Sequence, residues 1–185
     1  RRRLLDLFQR FHAANAFLKK KAALQHLPWY LFIGPSSAGK TSLLAYSNIS
    51  FILERKFNRD SESNQFMIEP SAHLDWWATR EASIVDVPSH YLFFGGKNVS
   101  ILWRYFLRII RHERGANGVN GIILALPLAE WLKHPNPKAL PELVQGLVAG
   151  LSELSHTFPQ AATCQIILTK CDLLPGFNEF FAESP

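Results

Sequence analysis

The residues best suited to chemistry lie in one glycine-rich segment, Gly34 to Thr41, whose sequence is GPSSAGKT. The segment matches in full the pattern G-x-x-x-x-G-K-[ST], in which backbone amides surround phosphate groups. Glycine allows a tight turn, so the amides of residues 36–41 can point at phosphate oxygens. Lys40 would then reach the β- and γ-phosphates, and the Thr41 hydroxyl would bind Mg²⁺.

The sequence around this segment favours a phosphate site over a chance glycine turn. Residues 29–33 form an apolar run without alternation, which predicts a strand buried on both faces. A helix is predicted from about residue 40 to residue 53, so the loop lies between a strand and a helix, as such sites require. The predicted phosphate-binding residues are Gly34, Ser36, Ser37, Ala38, Gly39, Lys40 and Thr41.

A second motif begins where another apolar run, residues 83–87, reaches Asp86. At the carboxyl end of a strand, this carboxylate could hold Mg²⁺ through water, although a strand-end Asp can also cap a turn. Ser89 stands where G proteins have a glycine whose amide touches the γ-phosphate, and its Cβ restricts the backbone. His90 follows at the place of a water-orienting side chain, which makes it the candidate catalytic residue; an exposed loop histidine is the alternative.

The third motif is Thr169-Lys170-Cys171-Asp172, which follows a predicted buried strand at residues 165–168. It is similar to the [NT]-K-x-D pattern that selects guanine. The Asp172 carboxylate could accept hydrogen bonds from both N1–H and the 2-amino group of that base, while Lys170 would lie along the base plane. The three motifs together predict a GTP or ATP site with Mg²⁺, in which Thr169, Lys170 and Asp172 contact the base.

The polar segment 57–72 occupies the place of the loop in which G proteins use a threonine to complete the Mg²⁺ shell. The sequence has no threonine between Thr41 and Thr79. Ser61, Ser63 and Ser71 are the candidates there.

The order of the predicted elements indicates an α/β fold of the P-loop NTPase type. Two strands, 75–78 and 82–87, are joined by a tight turn at residues 79–81. A helix at 98–112, a strand at 122–126, a proline-rich loop from Pro127 and a second amphipathic helix over 140–154 follow. We expect a mainly parallel sheet with one antiparallel strand and helices on both faces.

Composition and charge suggest a piece cut from a longer protein, in which residues 1–26 form a basic helix and residues 27–185 form the nucleotide domain. The net charge is +5, and seven basic residues face only Asp6 within the first 21 positions. Such a helix suits either a solvated surface or a juxtamembrane position near anionic lipid. No recognised module for nucleic acid accompanies the charge, so none is expected as a partner. The two cysteines are spaced like ordinary thiols of a reducing compartment.

Three stretches together resemble the N-terminal cytoplasmic region of the IcmF/TssM proteins. They are Leu27-Pro28-Trp29-Tyr30 leading into the phosphate segment, Leu74-Asp75-Trp76-Trp77-Ala78-Thr79 leading into Asp86, and the stretch from Leu168 through Gly176-Phe177 to Phe181. The resemblance covers about residues 27–181. The chain departs from the family at the second motif, where Asp86-Val87-Pro88-Ser89-His90-Tyr91 replaces the usual D-T-A-G-R-Y.

The resemblance implies a large parent protein on the cytoplasmic face of the bacterial inner membrane, in a type VI or type IVB secretion system. Transmembrane helices would precede Arg1, and the expected partner is a DotU/TssL-like membrane protein. Two functions compete: a GTP- or ATP-hydrolysing switch, with Arg80 and Arg104 as candidate catalytic arginines, and a degenerate P-loop scaffold that docks partners without turnover. A small-molecule kinase is a third interpretation, which the T-K-x-D motif disfavours.

Overall fold

A computed structural model describes residues 5, 7–13, 16, 26–53, 73–92, 100–115, 118–133, 139–160 and 162–182, and the statements below concern these residues. The candidate loop-serines Ser61, Ser63 and Ser71 lie outside them, as does Val99 at the start of the predicted third helix. Residues 7–13 belong to a first helix, α1. The later elements are β1 (Trp29–Ile33), α2 (Lys40–Ala45), β2 (Asp75–Ala78), β3 (Ser83–Asp86), α3 (Ile101–Arg114), β4 (Gly121–Pro127), α4 (Leu128–Lys133), α5 (Ala139–Thr157), β5 (Thr163–Thr169) and α6 (Phe177–Phe181).

The described strands form one mixed sheet with the order β2-β3-β1-β4-β5. Strands β3, β1, β4 and β5 run parallel, and β2 pairs antiparallel with β3. A tight turn joins β2 to β3, in which the Thr79 amide donates to the Ala82 carbonyl at 2.9 Å. The predicted α/β fold with one antiparallel strand is confirmed at this level.

Apolar side chains cover both faces of the sheet, as the unbroken apolar run of β1 predicts. Leu31 and Ile33 belong to the larger buried cluster, which includes Trp103 and Phe106 of α3. Phe32 points to the other face, where a smaller cluster joins it to Ala38, Leu44, Trp77 and Ala125. The central strand is therefore fixed from both sides, and so is the loop that follows it.

Helix α1 packs on the sheet through two apolar residues on successive turns. Leu7 and Phe11 are buried, and the Phe11 ring lies 5.9 Å from Trp29 and 5.6 Å from Trp76, between ring centroids. Arg10 forms an ion pair with Asp75 of β2 at 3.6 Å. Among the helices in the described ranges, none combines the length and the apolar character that a bilayer-spanning helix requires.

Helix α2 is much shorter than the predicted span of residues 40–53. It ends at Ala45, after which the Ser47 hydroxyl donates to the Leu44 carbonyl at 2.8 Å and Asn48 takes a left-handed conformation (φ 56°). The Ile52 amide then donates to the Ala78 carbonyl at 2.7 Å, beside β2. Ile52 and Leu53, which were predicted to be helical, thus lie beside the edge strand β2 and bond to it.

Two further predictions about the second half of the chain are wrong. A loop was expected from Pro127 onward, but Pro127 is the last residue of β4 and helix α4 follows it directly. The strand predicted to be buried, β5, lies at the edge of the sheet, where Ile166 is 62% exposed and Leu168 is 53% exposed. Its apolar run alone could not distinguish an interior strand from an edge strand.

Candidate functional site

The glycine-rich loop lies at the carboxyl edge of the sheet, between β1 and α2. Because β1 and β3 are parallel neighbours, the loop after β1 and the segment after β3 meet at this edge. Gly39, immediately before α2, has φ 76°, a left-handed conformation that favours glycine. At Gly34 a Cβ atom would lie 2.6 Å from the Ala125 carbonyl oxygen, so the loop passes too close to β4 for any side chain.

Lys40, Thr41 and Asp86 form a buried polar cluster at the base of the loop. The Thr41 hydroxyl donates to Asp86 Oδ2 at 2.7 Å, and Lys40 Nζ lies 3.8 Å from Asp86 Oδ1. Lys40 is 8% exposed and Asp86 is fully buried. The structure therefore brings together the cation, the hydroxyl and the carboxylate that two separate motifs supply.

Burial sets the electrostatics of this cluster. It lowers the pKa of the Lys40 ammonium below its ordinary value, and the attraction of the Asp86 carboxylate only partly raises it again. A buried charge is costly unless it is well paired, and 3.8 Å is longer than a direct hydrogen bond. An additional anion beside Lys40 would stabilise the protonated form of its ammonium group.

The second motif continues from Asp86 into a short 3₁₀ helix, Ser89–Tyr91. The Ser89 hydroxyl lies 2.7 Å from the Ser36 hydroxyl of the glycine-rich loop, and either group can be the donor. His90 is partly exposed, and its ring centroid lies 5.1 Å from that of Tyr91. Ser89 thus contacts the loop directly, and His90 follows it in the chain.

The third motif joins the same loop from β5. The Thr169 hydroxyl donates to the Ala38 carbonyl at 2.8 Å, which links positions 131 residues apart in sequence. Lys170 takes a left-handed conformation (φ 58°), and its ammonium contacts the Glu130 carboxylate of α4. Asp172 is exposed in a short 3₁₀ helix, Cys171–Leu173, where its backbone carbonyl accepts from Asn178 Nδ2 at 3.3 Å.

Sequence reasoning did not find Glu130 as a contact of Lys170. The residue belongs to α4, a helix that was predicted as loop, so no helical pattern drew attention to it. The feature that could have indicated Glu130 is its position shortly after the carboxyl end of β4, because ligands bind at that edge of a parallel sheet.

The candidate catalytic arginines lie elsewhere. Arg80 is exposed in the turn between β2 and β3, at the opposite end of β3 from Asp86. Arg104 of α3 forms an ion pair with Glu153 of α5 at 3.6 Å. Neither arginine is brought to the glycine-rich loop in this arrangement.

Cys164 and Cys171 are free thiols. Within the part of the chain that the structure describes, His, Cys, Asp and Glu side chains form no group of three or more that could hold a metal ion.

The fold and these residues define an α/β domain with a mixed, mostly parallel sheet and a glycine-rich loop at its carboxyl edge. Residues 99–185 match the family model of the IcmF-related N-terminal domain. The chain is also 29% identical, over 187 aligned positions, to the type VI secretion system component TssM1 of Pseudomonas aeruginosa. Both comparisons therefore show a similarity of this chain to the IcmF/TssM proteins. That alignment covers 96% of this chain and 17% of the relative, so the chain spans a small part of the relative's length.

Proposed function

We propose that this chain is the nucleotide-binding domain of an IcmF/TssM-like component of a bacterial secretion system, on the cytoplasmic face of the inner membrane. Similarity to the IcmF-related N-terminal domain and to a TssM1 protein supports the role in secretion. The observation that carries the nucleotide part is the buried hydrogen bond between the Thr41 hydroxyl and Asp86, beside Lys40.

The residues of the cluster fit a nucleotide with Mg²⁺. Thr41 and Asp86 offer oxygen atoms, which Mg²⁺ prefers, and Lys40 offers a buried cation to the phosphates. The backbone supports the same assignment, because the left-handed Gly39 precedes the first turn of α2, where helix amides and the helix dipole favour an anion. A bound phosphate would offset the cost of burying the Lys40 ammonium.

GTP is the nucleotide that we propose, with ATP as the alternative. The Thr169 bond to Ala38 holds the third motif against the phosphate loop, so a base beside Asp172 and phosphates beside Lys40 could belong to one ligand. The exposed Asp172 carboxylate is accessible to a base. In a hydrolysing switch, His90 would orient the attacking water.

Replacing Lys40 with alanine tests the phosphate site. We expect Lys40→Ala to weaken binding of Mg²⁺-GTP by about two orders of magnitude, since it removes a charged hydrogen bond donor from a desolvated site. Isothermal titration calorimetry on the purified chain measures the affinity. The matched control is Arg108→Ala, which removes an exposed cation from α3.

Circular dichroism of both variants must show a folded chain, because Lys40→Ala also leaves Asp86 without its neighbouring cation. If the wild type and a folded Lys40→Ala variant bind Mg²⁺-GTP with equal affinity, Lys40 does not contact the phosphates and the assignment of the phosphate site is wrong.

The second candidate function is a docking scaffold without nucleotide turnover. The observation that favours it is the exposure of apolar side chains on β5 and on α5, including Ile166 at 62% and Val148 at 62%. In this function the chain would bind a DotU/TssL-like membrane protein through such a surface. Binding of that partner with the same affinity by wild type and Lys40→Ala, together with no detectable nucleotide binding, would favour the scaffold over the switch.

A further inference from the structure

The contact between Ser36 and Ser89 has no part in the cluster of Lys40, Thr41 and Asp86. Their hydroxyl oxygens lie 2.7 Å apart, in a hydrogen bond that either serine can donate. Ser36 comes from the glycine-rich loop after β1, and Ser89 comes from the 3₁₀ helix after β3. The bond therefore links the two segments between which a phosphate chain on Lys40 would lie.

The Ser36 and Ser89 hydroxyls could give up their mutual hydrogen bond and bind a ligand instead. Ser36 is exposed and Ser89 is partly exposed, so a ligand can reach both hydroxyls. One of the two O–H groups donates within the pair, whereas both could donate to a phosphate. Hydrogen bonds to an ionised acceptor are roughly twice as strong as those between neutral groups, so an anion competes well for these donors.

We propose that the Ser36 and Ser89 hydroxyls bind the terminal phosphate of a nucleoside triphosphate and make the site prefer it over the diphosphate. The inference rests on the proposed nucleotide function and adds to it the residues that read the third phosphate. Ser89 takes over with its hydroxyl the role that a glycine amide has in G proteins. With Asp86-Val87-Pro88-Ser89 in place of D-T-A-G, the terminal phosphate would still be recognised, but by a serine hydroxyl.

The test compares affinities for GDP and for a non-hydrolysable GTP analogue, both with Mg²⁺, by calorimetry on the purified chain. The readout is the ratio of the two dissociation constants. We expect Ser36→Ala and Ser89→Ala each to lower the preference for the triphosphate about 2- to 10-fold, the amount that one hydrogen bond contributes. Affinity for GDP should stay unchanged.

Two variants control the measurement. Ser152→Ala removes an exposed hydroxyl from α5 and should leave the ratio at the wild-type value. Ser89→Thr keeps a hydroxyl at the same position and should retain most of the preference, which would assign the loss in Ser89→Ala to the hydroxyl group.

Each other outcome overturns the inference in a distinguishable way. An unchanged ratio in both alanine variants, with both nucleotides bound, would show that the hydroxyls do not touch the third phosphate. Equal losses for the two nucleotides would show that the pair only shapes the loop. A wild-type chain that binds neither nucleotide would remove the proposed function itself, and this inference with it.

Discussion

The Thr169 hydroxyl connects two parts of the candidate site that are distant in sequence. It donates to the Ala38 carbonyl within the glycine-rich loop, while the next residues carry Lys170 and Asp172. Lys170 in turn contacts Glu130 of α4, which orients its side chain along the same edge of the sheet. A movement of the loop would therefore shift the residues that are proposed to select the base.

Base selection can be tested at Asp172. We expect Asp172→Asn to reduce the preference for GTP over ATP about tenfold or more, because an amide no longer offers two charged acceptors to the guanine edge. Competition between the two nucleotides for a labelled analogue measures the preference. Glu179→Gln, which neutralises an exposed acid on the nearby α6, is the control. If competition is the same in Asp172→Asn as in wild type, Asp172 does not contact the base.

The motifs of the candidate site could be found from the sequence, because each of them occupies a contiguous stretch. Gly34 to Thr41 contains the whole of the glycine-rich pattern, and in the structure the Thr41 hydroxyl donates to Asp86 of the second motif. The Thr169–Ala38 bond and the Ser36–Ser89 pair were not predictable, since they depend on how strands are ordered in the sheet.

Helix α1 contributes to the core through one face only. Phe11 is fully buried between Trp29 and Trp76, whereas Phe8, one turn earlier, is 44% exposed. Arg10 also reaches Asp75 on β2, so a basic residue of the first segment serves the fold as well as the surface charge. The helix is therefore part of what holds the β2 edge of the sheet.

The two phenylalanines of α1 allow a matched comparison. We expect Phe11→Ala to lower the free energy of unfolding by about 3–5 kcal/mol, through lost burial and the cavity left beside two indoles. Phe8→Ala should cost about 1 kcal/mol or less, as is usual for surface substitutions. Urea denaturation followed by circular dichroism gives both values. Equal losses in the two variants would show that α1 does not pack through Phe11.

The elements show where sequence patterns succeed and where they fail. Strand β1 was predicted with its bounds, because an unbroken apolar run next to a glycine turn has few alternatives. The predicted end of α2 at residue 53 is wrong, because the helix stops at Ala45 and Ile52 and Leu53 pair with Ala78 of β2 instead. The prediction that β5 is buried is also wrong, because an apolar sequence does not distinguish a strand at the centre of a sheet from one at its edge.

Taken as a whole, the molecule is asymmetric across its sheet. The β2 edge is covered in part by α1, while β5 at the other edge exposes Ile166 and Leu168. Helix α5, which precedes β5 in the chain, also exposes Val144 and Val148. An exposed apolar strand edge is a site of association with other chains, and proteins usually protect such edges.

This asymmetry predicts how the isolated chain behaves at high concentration. We expect Ile166→Lys to reduce self-association, since a charge on an edge strand opposes pairing between copies, with a change in stability within about 0.5 kcal/mol. Sedimentation velocity over a range of concentrations measures the effect. Ile101→Lys, at a 71% exposed position on α3, is the control. A similar reduction in both variants would assign the effect to net charge and not to the β5 edge.

Trp77 is a fluorescent side chain that packs beneath the glycine-rich loop. Its indole is buried in the cluster that also contains Ala38 of the loop and Leu44 of α2, and it stacks edge-on against Phe51 at 5.0 Å. Indole emission depends on the polarity and packing around the ring, so a rearrangement of the loop would change the fluorescence of this tryptophan. The chain thus carries an intrinsic fluorophore beneath the site, and ligand binding could be followed in it without any added label.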